Sequence, residues 1–122
     1  MKFFILEDDP RRMVYFRERF LEYGIIYHFT DVDPALDFLQ DHANEMDFLF
    51  LDHDLGGETY VNSNEYNTGY TIAKYLRGIK DFDYSKVIIH SMNTVGSRKM
   101  MDCMPGSVII PFHAIFERIV VN

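Results

Sequence analysis

A chain of 122 residues that is 48% hydrophobic, 16% aromatic and 25% charged has the size and balance of one folded domain, expected to span 1–122, and not of a disordered chain. Its net charge of −7, with twelve Lys and Arg in all, excludes broad binding to duplex nucleic acid, which needs clustered cations, but leaves a small anionic ligand open. No apolar run approaches the roughly 18 to 20 residues of a membrane span, the run up to Leu6 is too short for a signal peptide, and the single Cys103 cannot form an internal disulfide, so the expected compartment is the cytoplasm.

Phe3 to Leu6, apolar and bounded by acids, reads as a parallel strand buried on both faces. Asp9 then stands as an N-cap with Pro10 at the first helical position, and Met13, Phe16 and Phe20 recur at helical spacing until Gly24. Ile25 to Phe29 is a second strand, and Asp33-Pro34 repeats the cap-plus-proline signature ahead of Ala35, Leu36 and Leu39. Phe48 to Leu51, Val87 to Ile89 and Val108 to Ile110 are three further strands by length and β-branched content. A helix beginning near Thr68 carries Ile72, Ala73 and Leu76. Another follows Asn93 and places Met100, Met101 and Met104 in the core, and a last short helix runs from about His113. The alternation predicts an α/β fold: one doubly wound, five-stranded parallel sheet, flavodoxin-like, with strand order 2-1-3-4-5.

In such sheets ligands bind beyond the carboxyl ends of the strands. There the sequence places Glu7-Asp8-Asp9, then Asp52-His53-Asp54-Leu55-Gly56-Gly57, then His90-Ser91-Met92-Asn93, and Pro111-Phe112-His113. The connection from Asp52 to Asn67 is polar and longer than most turns of this fold, as functional loops are. Carboxylates gathered at one end repel unless a cation neutralises them, and an oxygen-rich set favours Mg²⁺ or Mn²⁺. Asp8, Asp9 and Asp52 are the preferred ligands, with Asp54 either binding metal or orienting a histidine; Asp9 equally serves as a simple helix cap. His53 and His90 are candidate general acids or bases. Ser91, Asn93 and the Gly56-Gly57 backbone are candidate phosphate holders, with Arg98 or Lys99 adding charge, although Asn93 equally suits an N-cap. Arg11 and Arg12 either reach the acidic end or lie on an exposed helical face. His28, His42 and Cys103 carry no pattern that assigns them a role.

The acids Asp8-Asp9, Asp52 ending the third strand, Ser91 after the fourth and Pro111-Phe112 after the fifth resemble a response-regulator receiver domain over almost the whole chain. That resemblance implies Mg²⁺ on Asp8 and Asp9, phosphorylation of Asp52 and a phosphoryl contact from Ser91. Receivers carry a Lys immediately before the proline, where this chain has Ile110, which argues against ordinary phosphorelay signalling. Leu6-Glu7-Asp8, Leu51-Asp52-His53-Asp54-Leu55-Gly56-Gly57, Thr68-Gly69 and His90-Ser91-Met92-Asn93 with Val95-Gly96 are similar to a divergent group, the cyclic-phosphate processing receiver domains. This second resemblance implies a metal-dependent phosphoesterase acting on a cyclic nucleotide or an RNA 2′,3′-cyclic phosphate end. Two other functions stay open. One is a binding module that sequesters a cyclic nucleotide or phosphorylated signal, with Tyr60, Tyr66 and Tyr70 available to stack on a base; the other is an atypical phosphoacceptor working without the lysine. The expected partner is a small phosphorylated ligand, with no duplex nucleic acid and no membrane, and the sequence selects no oligomeric state.

Overall fold

Strands β1 (Lys2–Leu6), β2 (Ile25–Phe29), β3 (Phe48–Leu51), β4 (Val87–Ile89) and β5 (Val108–Ile109) form one parallel sheet in the order 2-1-3-4-5. The computed structural model describes residues 1–119; the last three residues of the expected 1–122 unit lie outside them. Helices α1 (Pro10–Phe20), α2 (Val32–His42), α3 (Gly69–Arg77), α4 (Thr94–Cys103) and α5 (Phe112–Arg118) cover both faces.

Because side chains along a strand alternate, each apolar run feeds two cores. Phe3 and Ile5 of β1, Phe50 and Ile88 meet Met13, Phe16 and Phe20 of α1 and Ile115 of α5. Phe4, Leu6, Leu49, Leu51, Val87 and Ile89 point the other way, onto α2, α3 and α4. The first core is aromatic, with Phe3 stacked on Phe20 at 4.8 Å and Phe20 on Phe50 at 5.3 Å. Each fully buried side chain of this size contributes roughly 1.5–3 kcal/mol, so truncating any of them threatens the fold before it touches the site.

The strands fall where the sequence places them, except that β1 begins at Lys2 and β5 closes at Ile109. Helix α1 begins at Pro10, with the Asp9 side chain accepting from Arg11 N–H at 2.9 Å. Helix α2 departs from expectation: it begins at Val32, so Asp33 and Pro34 lie inside its first turn. Proline is tolerated there because the first-turn N–H groups have no helical partner. Asn67, from the long loop, supplies the cap instead, its Oδ1 accepting from Val32 N–H at 2.9 Å. Met100 and Met104 are fully buried, whereas Met101 is half-buried at the edge of the same core.

Candidate functional site

The site starts from a continuation of the sheet. Each strand end extends the backbone ladder by one residue: Glu7 N–H donates to Phe29 O, Asp52 N–H to Leu6 O, His90 N–H to Leu51 O and Ile110 N–H to Ile89 O, all at 2.9–3.1 Å. Ile5, Phe50 and Ile88 are register partners, so with a side-chain period of two Glu7, Asp52 and His90 fall on the same face, one row further out. One ligand-capable atom from each of the three lies within 4.8 Å of the others. All three are buried.

Burial of two carboxylates side by side sets their protonation. Burial pushes Asp52 up to about 7; the adjacent Glu7 charge adds to this, while the His90 ring and Arg12 oppose it. Burial also works against Glu7, but the hydrogen bond from His90 Nε2–H to Glu7 Oε1 at 3.0 Å, the Asp9 N–H and Arg12 more than offset it and hold Glu7 at about 2. The pair therefore separates into one carboxylate that stays ionised and one that shares its proton with solvent near neutrality. Arg12, on α1, reaches both: its Nη1 is 3.5 Å from Glu7 Oε1 and 3.7 Å from Asp52 Oδ2. His90 Nδ1 is buried with no hydrogen-bond partner.

The segment after Asp52 is an ordered Ω-type loop closed by an antiparallel bridge between Asp54 and Thr68. Asp54 organises it, with Oδ1 accepting from His53 Nδ1–H, Asn93 Nδ2–H and Val61 N–H and Oδ2 accepting from Tyr60 N–H. Burial alone raises Asp54, but these donors hold it below the ordinary carboxylate range. The other ring nitrogen of His53 accepts from Ser63 Oγ–H at 2.8 Å. Glycine permits two close approaches. A Cβ on Gly96 would lie 2.5 Å from the His53 ring, and one on Gly69 2.0 Å from the Asp52 carbonyl oxygen.

Asp8, Asp9, Asp52, Asp54, Gly57 and Ser91 line one cavity of about 480 Å³ at this end of the sheet. Of the expected ligands, Asp8 accepts from Gly57 N–H at 2.6 Å, and burial raises its carboxyl. Asp9 is turned to Arg11, which bonds both of its oxygens and lowers it. Asp54 also lines the cavity but accepts from His53, Tyr60, Val61 and Asn93. Both histidines are fully buried and neither lines the cavity, so the expected imidazole acid–base pair does not face a ligand there. Gly56 stays outside the lining. Asn93 spends its amide on Asp54, on the Val61 carbonyl and on capping α4 at Gly96 N–H. Arg98 lines a neighbouring cavity instead.

These carboxylates are hard oxygen donors, held at one end of the sheet and only partly balanced by one guanidinium, and such a set fits Mg²⁺ or Mn²⁺. Four carboxylates line the cavity; Asp9 is paired with Arg11 and Asp54 with the loop and Asn93, which leaves Asp8 and Asp52 as the preferred donors, with Glu7 close to Asp52.

A model of the cyclic-phosphate processing receiver domain matches residues 3–105. The chain belongs to this family. The fold is similar to that of a response regulator receiver domain from Rhodospirillum rubrum, at TM-score 0.70 and 20% identity, covering 96% of this chain and 89% of that one. It is also similar to the signal receiver domain of a signal transduction histidine kinase from Syntrophus aciditrophicus, at TM-score 0.63 and 18% identity, covering 90% and 76%. No curated protein matches the sequence.

In this cyclic-phosphate processing receiver, the row that carries Glu7, Asp52 and His90 ends on Ile110, buried in the aromatic core. The residue that sequence reasoning missed is Glu7, displaced from attention by Asp8-Asp9. Its signal is the period of two along β1, which puts residue 7 in phase with Ile5. Arg12 is on the cavity wall, its guanidinium 5.3 Å from the centre of the Phe112 ring. Among the described residues no helix is long and apolar enough to cross a membrane.

Proposed function

We propose that this end of the sheet is a metal-assisted phosphoesterase centre for a cyclic phosphate. The observation that carries the reading is that Asp8 and Asp52 line one cavity with Arg12, whose Nη1 lies 3.5 Å from Glu7 and 3.7 Å from Asp52. The family match supports it. Asp8 and Asp52, backed by Glu7, would hold Mg²⁺ or Mn²⁺. A divalent cation there supplies positive charge to a phosphoryl oxygen and acidifies a bound water.

The chain's own groups do the rest. Arg12 offsets the charge that builds on the phosphoryl oxygens. Ser91 Oγ accepts from Asn93 N–H at 3.1 Å, which leaves its own O–H to donate into the cavity it lines. In the net reaction water oxygen bonds phosphorus, one ring ester bond breaks, and the proton lost by water ends on the departing oxygen. His90 positions Glu7, and His53 positions Asp54 and the loop; both act through another residue.

A second reading, a module that captures a cyclic nucleotide unchanged, is favoured by the burial of both imidazoles. It is also favoured by Tyr60, 71% exposed at the cavity mouth with a positive φ of 55°.

Phosphorus NMR of the protein with Mg²⁺ and a panel of cyclic phosphates separates the two. Metal-dependent ring opening that is lost in Asp52→Ala and Arg12→Ala supports the esterase. Resonances that shift without product support capture, and full turnover by Asp52→Ala sinks the esterase assignment.

A further inference from the structure

Two cavities meet at the site and share Arg12, Ser91 and Met92. The second, of about 540 Å³, lies between the start of α4 and the turn from β5 into α5, with Ile109, Pro111 and Phe112 on one wall and Thr94 and Arg98 on the other. Its size and its mostly apolar walls with a few polar groups are those of a small-molecule site. At the seam, Arg12 Nη2 is 3.5 Å from Met92 Sδ while Nη1 faces the carboxylates, so one guanidinium borders both spaces. Met92 is 67% exposed, an adaptable apolar side chain that the core does not use.

A phosphoester seated by Asp8 and Asp52 has to place its organic part in one of the neighbouring spaces. The space on the other side is lined by Tyr60, Leu55 and Val61 but also by Glu58, Asn62, Glu65 and Asn67. Polar walls carrying two carboxylates suit a flat heterocycle poorly. The Phe112–Met92 side offers an aromatic ring, a thioether and a guanidinium plane, which stack on a base whatever its identity, with Thr94 and Arg98 able to bond its edge.

We propose that the second cavity is a nucleobase subsite that holds the base of the ligand between Phe112 and Met92. The assignment rests on the cyclic-phosphate reading of the neighbouring cavity.

The test uses adenosine 2′,3′-cyclic phosphate, the base-free methyl riboside 2′,3′-cyclic phosphate and a short RNA ending in the same group. Each is titrated with Mg²⁺ into protein carrying ¹³C-methyl methionine, the Met92 signal being assigned with Met92→Ala. The nucleoside should bind about tenfold or more tighter than the base-free ring and should shift the Met92 methyl. Thr94→Trp, at an exposed position on α4, should bring the ratio of the two affinities to about one. An RNA end that shifts Met92 in the same way identifies a strand-terminal ligand, and binding by the mononucleotide alone identifies a free one; both support the subsite. Equal affinities for the nucleoside and base-free rings overturn it while leaving the cyclic-phosphate reading standing. A base advantage erased by Tyr60→Ala but kept in Thr94→Trp also overturns it, by placing the base on the far side. No binding of any ring overturns both.

Discussion

Asp8 Oδ2 accepts a 2.6 Å hydrogen bond from the backbone N–H of Gly57, tying the end of β1 to a loop 49 residues further along the chain. Gly57 makes that bond at φ +76°, the φ its neighbour Gly56 also adopts, in a region where a side chain costs about 1–2 kcal/mol. A Cβ there meets nothing within 4 Å, so the cost is conformational alone. Gly57→Ala should lower stability by about 1–2 kcal/mol and speed amide exchange selectively between residues 55 and 62. Unchanged exchange in that segment would show that the glycine pair does not set the loop.

Asp52→Asn should stabilise the metal-free protein in mild alkali. Between about pH 4 and pH 7 the folded chain keeps a proton on Asp52 that the unfolded chain has released, so stability falls as pH rises through that window. Glu7 has the opposite sign. The unfolded chain takes its proton first, so stability is lost as pH falls from about 4.3 towards 2. Asparagine removes the first effect, adding about 1–3 kcal/mol at about pH 8 and little at about pH 4 in urea unfolding. A variant less stable than the parent at about pH 8 contradicts the account.

The same carboxyl should make binding of the proposed cation pH-dependent. Because Asp52 must release its proton to bind Mn²⁺, affinity should climb by up to tenfold per pH unit up to about pH 7 and then level off. Calorimetry in two buffers of different ionisation enthalpy should count about one released proton near pH 6. Asp8→Asn should weaken binding strongly. Asp9→Asn should change it by less than about threefold, because that carboxylate already bonds Arg11. Equal losses in the two variants would return Asp9 to the ligand set.

Arg12→Ala should lower kcat for cyclic-phosphate opening by about 10²-fold, the usual scale for one donor that stabilises developing charge. Arg12→Lys should recover only part, since a compact ammonium cannot at once hold the Nη1 position near Glu7 and Asp52 and lie flat over the Phe112 ring as the guanidinium does. A variant with full kcat and a raised KM assigns Arg12 to ground-state binding only.

Gly96→Ala should act at a distance. Its Cβ would press on the His53 ring, the ring on Asp54, and Asp54 on the Tyr60 and Val61 amides. Loss of activity with near-native circular dichroism and faster proteolysis between residues 55 and 66 is expected, at about 1–3 kcal/mol of stability. Intact proteolytic resistance would mean that the ring has room to move.

The order of the sheet was legible because each strand is a short apolar run between strong breakers: acids after Leu6 and Leu51, Gly24 before Ile25, Pro111 after Ile110. The start of α2 was not, because its cap comes from Asn67, 35 residues away, and no local pattern records a tertiary cap. The acidic cavity could be read from the residues just past each strand's carboxyl end. The roles of the two histidines could not. His53 and His90 look like their exposed counterparts in sequence, and only packing shows that Ser63, Asp54 and Glu7 bond their ring nitrogens from within the core. Arg12 was ambiguous for the converse reason, since a helix position is neutral until α5 brings Phe112 against it.

The Glu7–Asp52–His90 row is part of the sheet's own hydrogen-bond lattice, so the backbones that carry its two carboxylates are held at the spacing of neighbouring strands, about 4.8 Å. Loops can swing away from repulsion, whereas adjacent strands cannot part without breaking their ladder. Arg12 and the His90 N–H offset part of the repulsion from within the chain, and a proton on Asp52 relieves the rest.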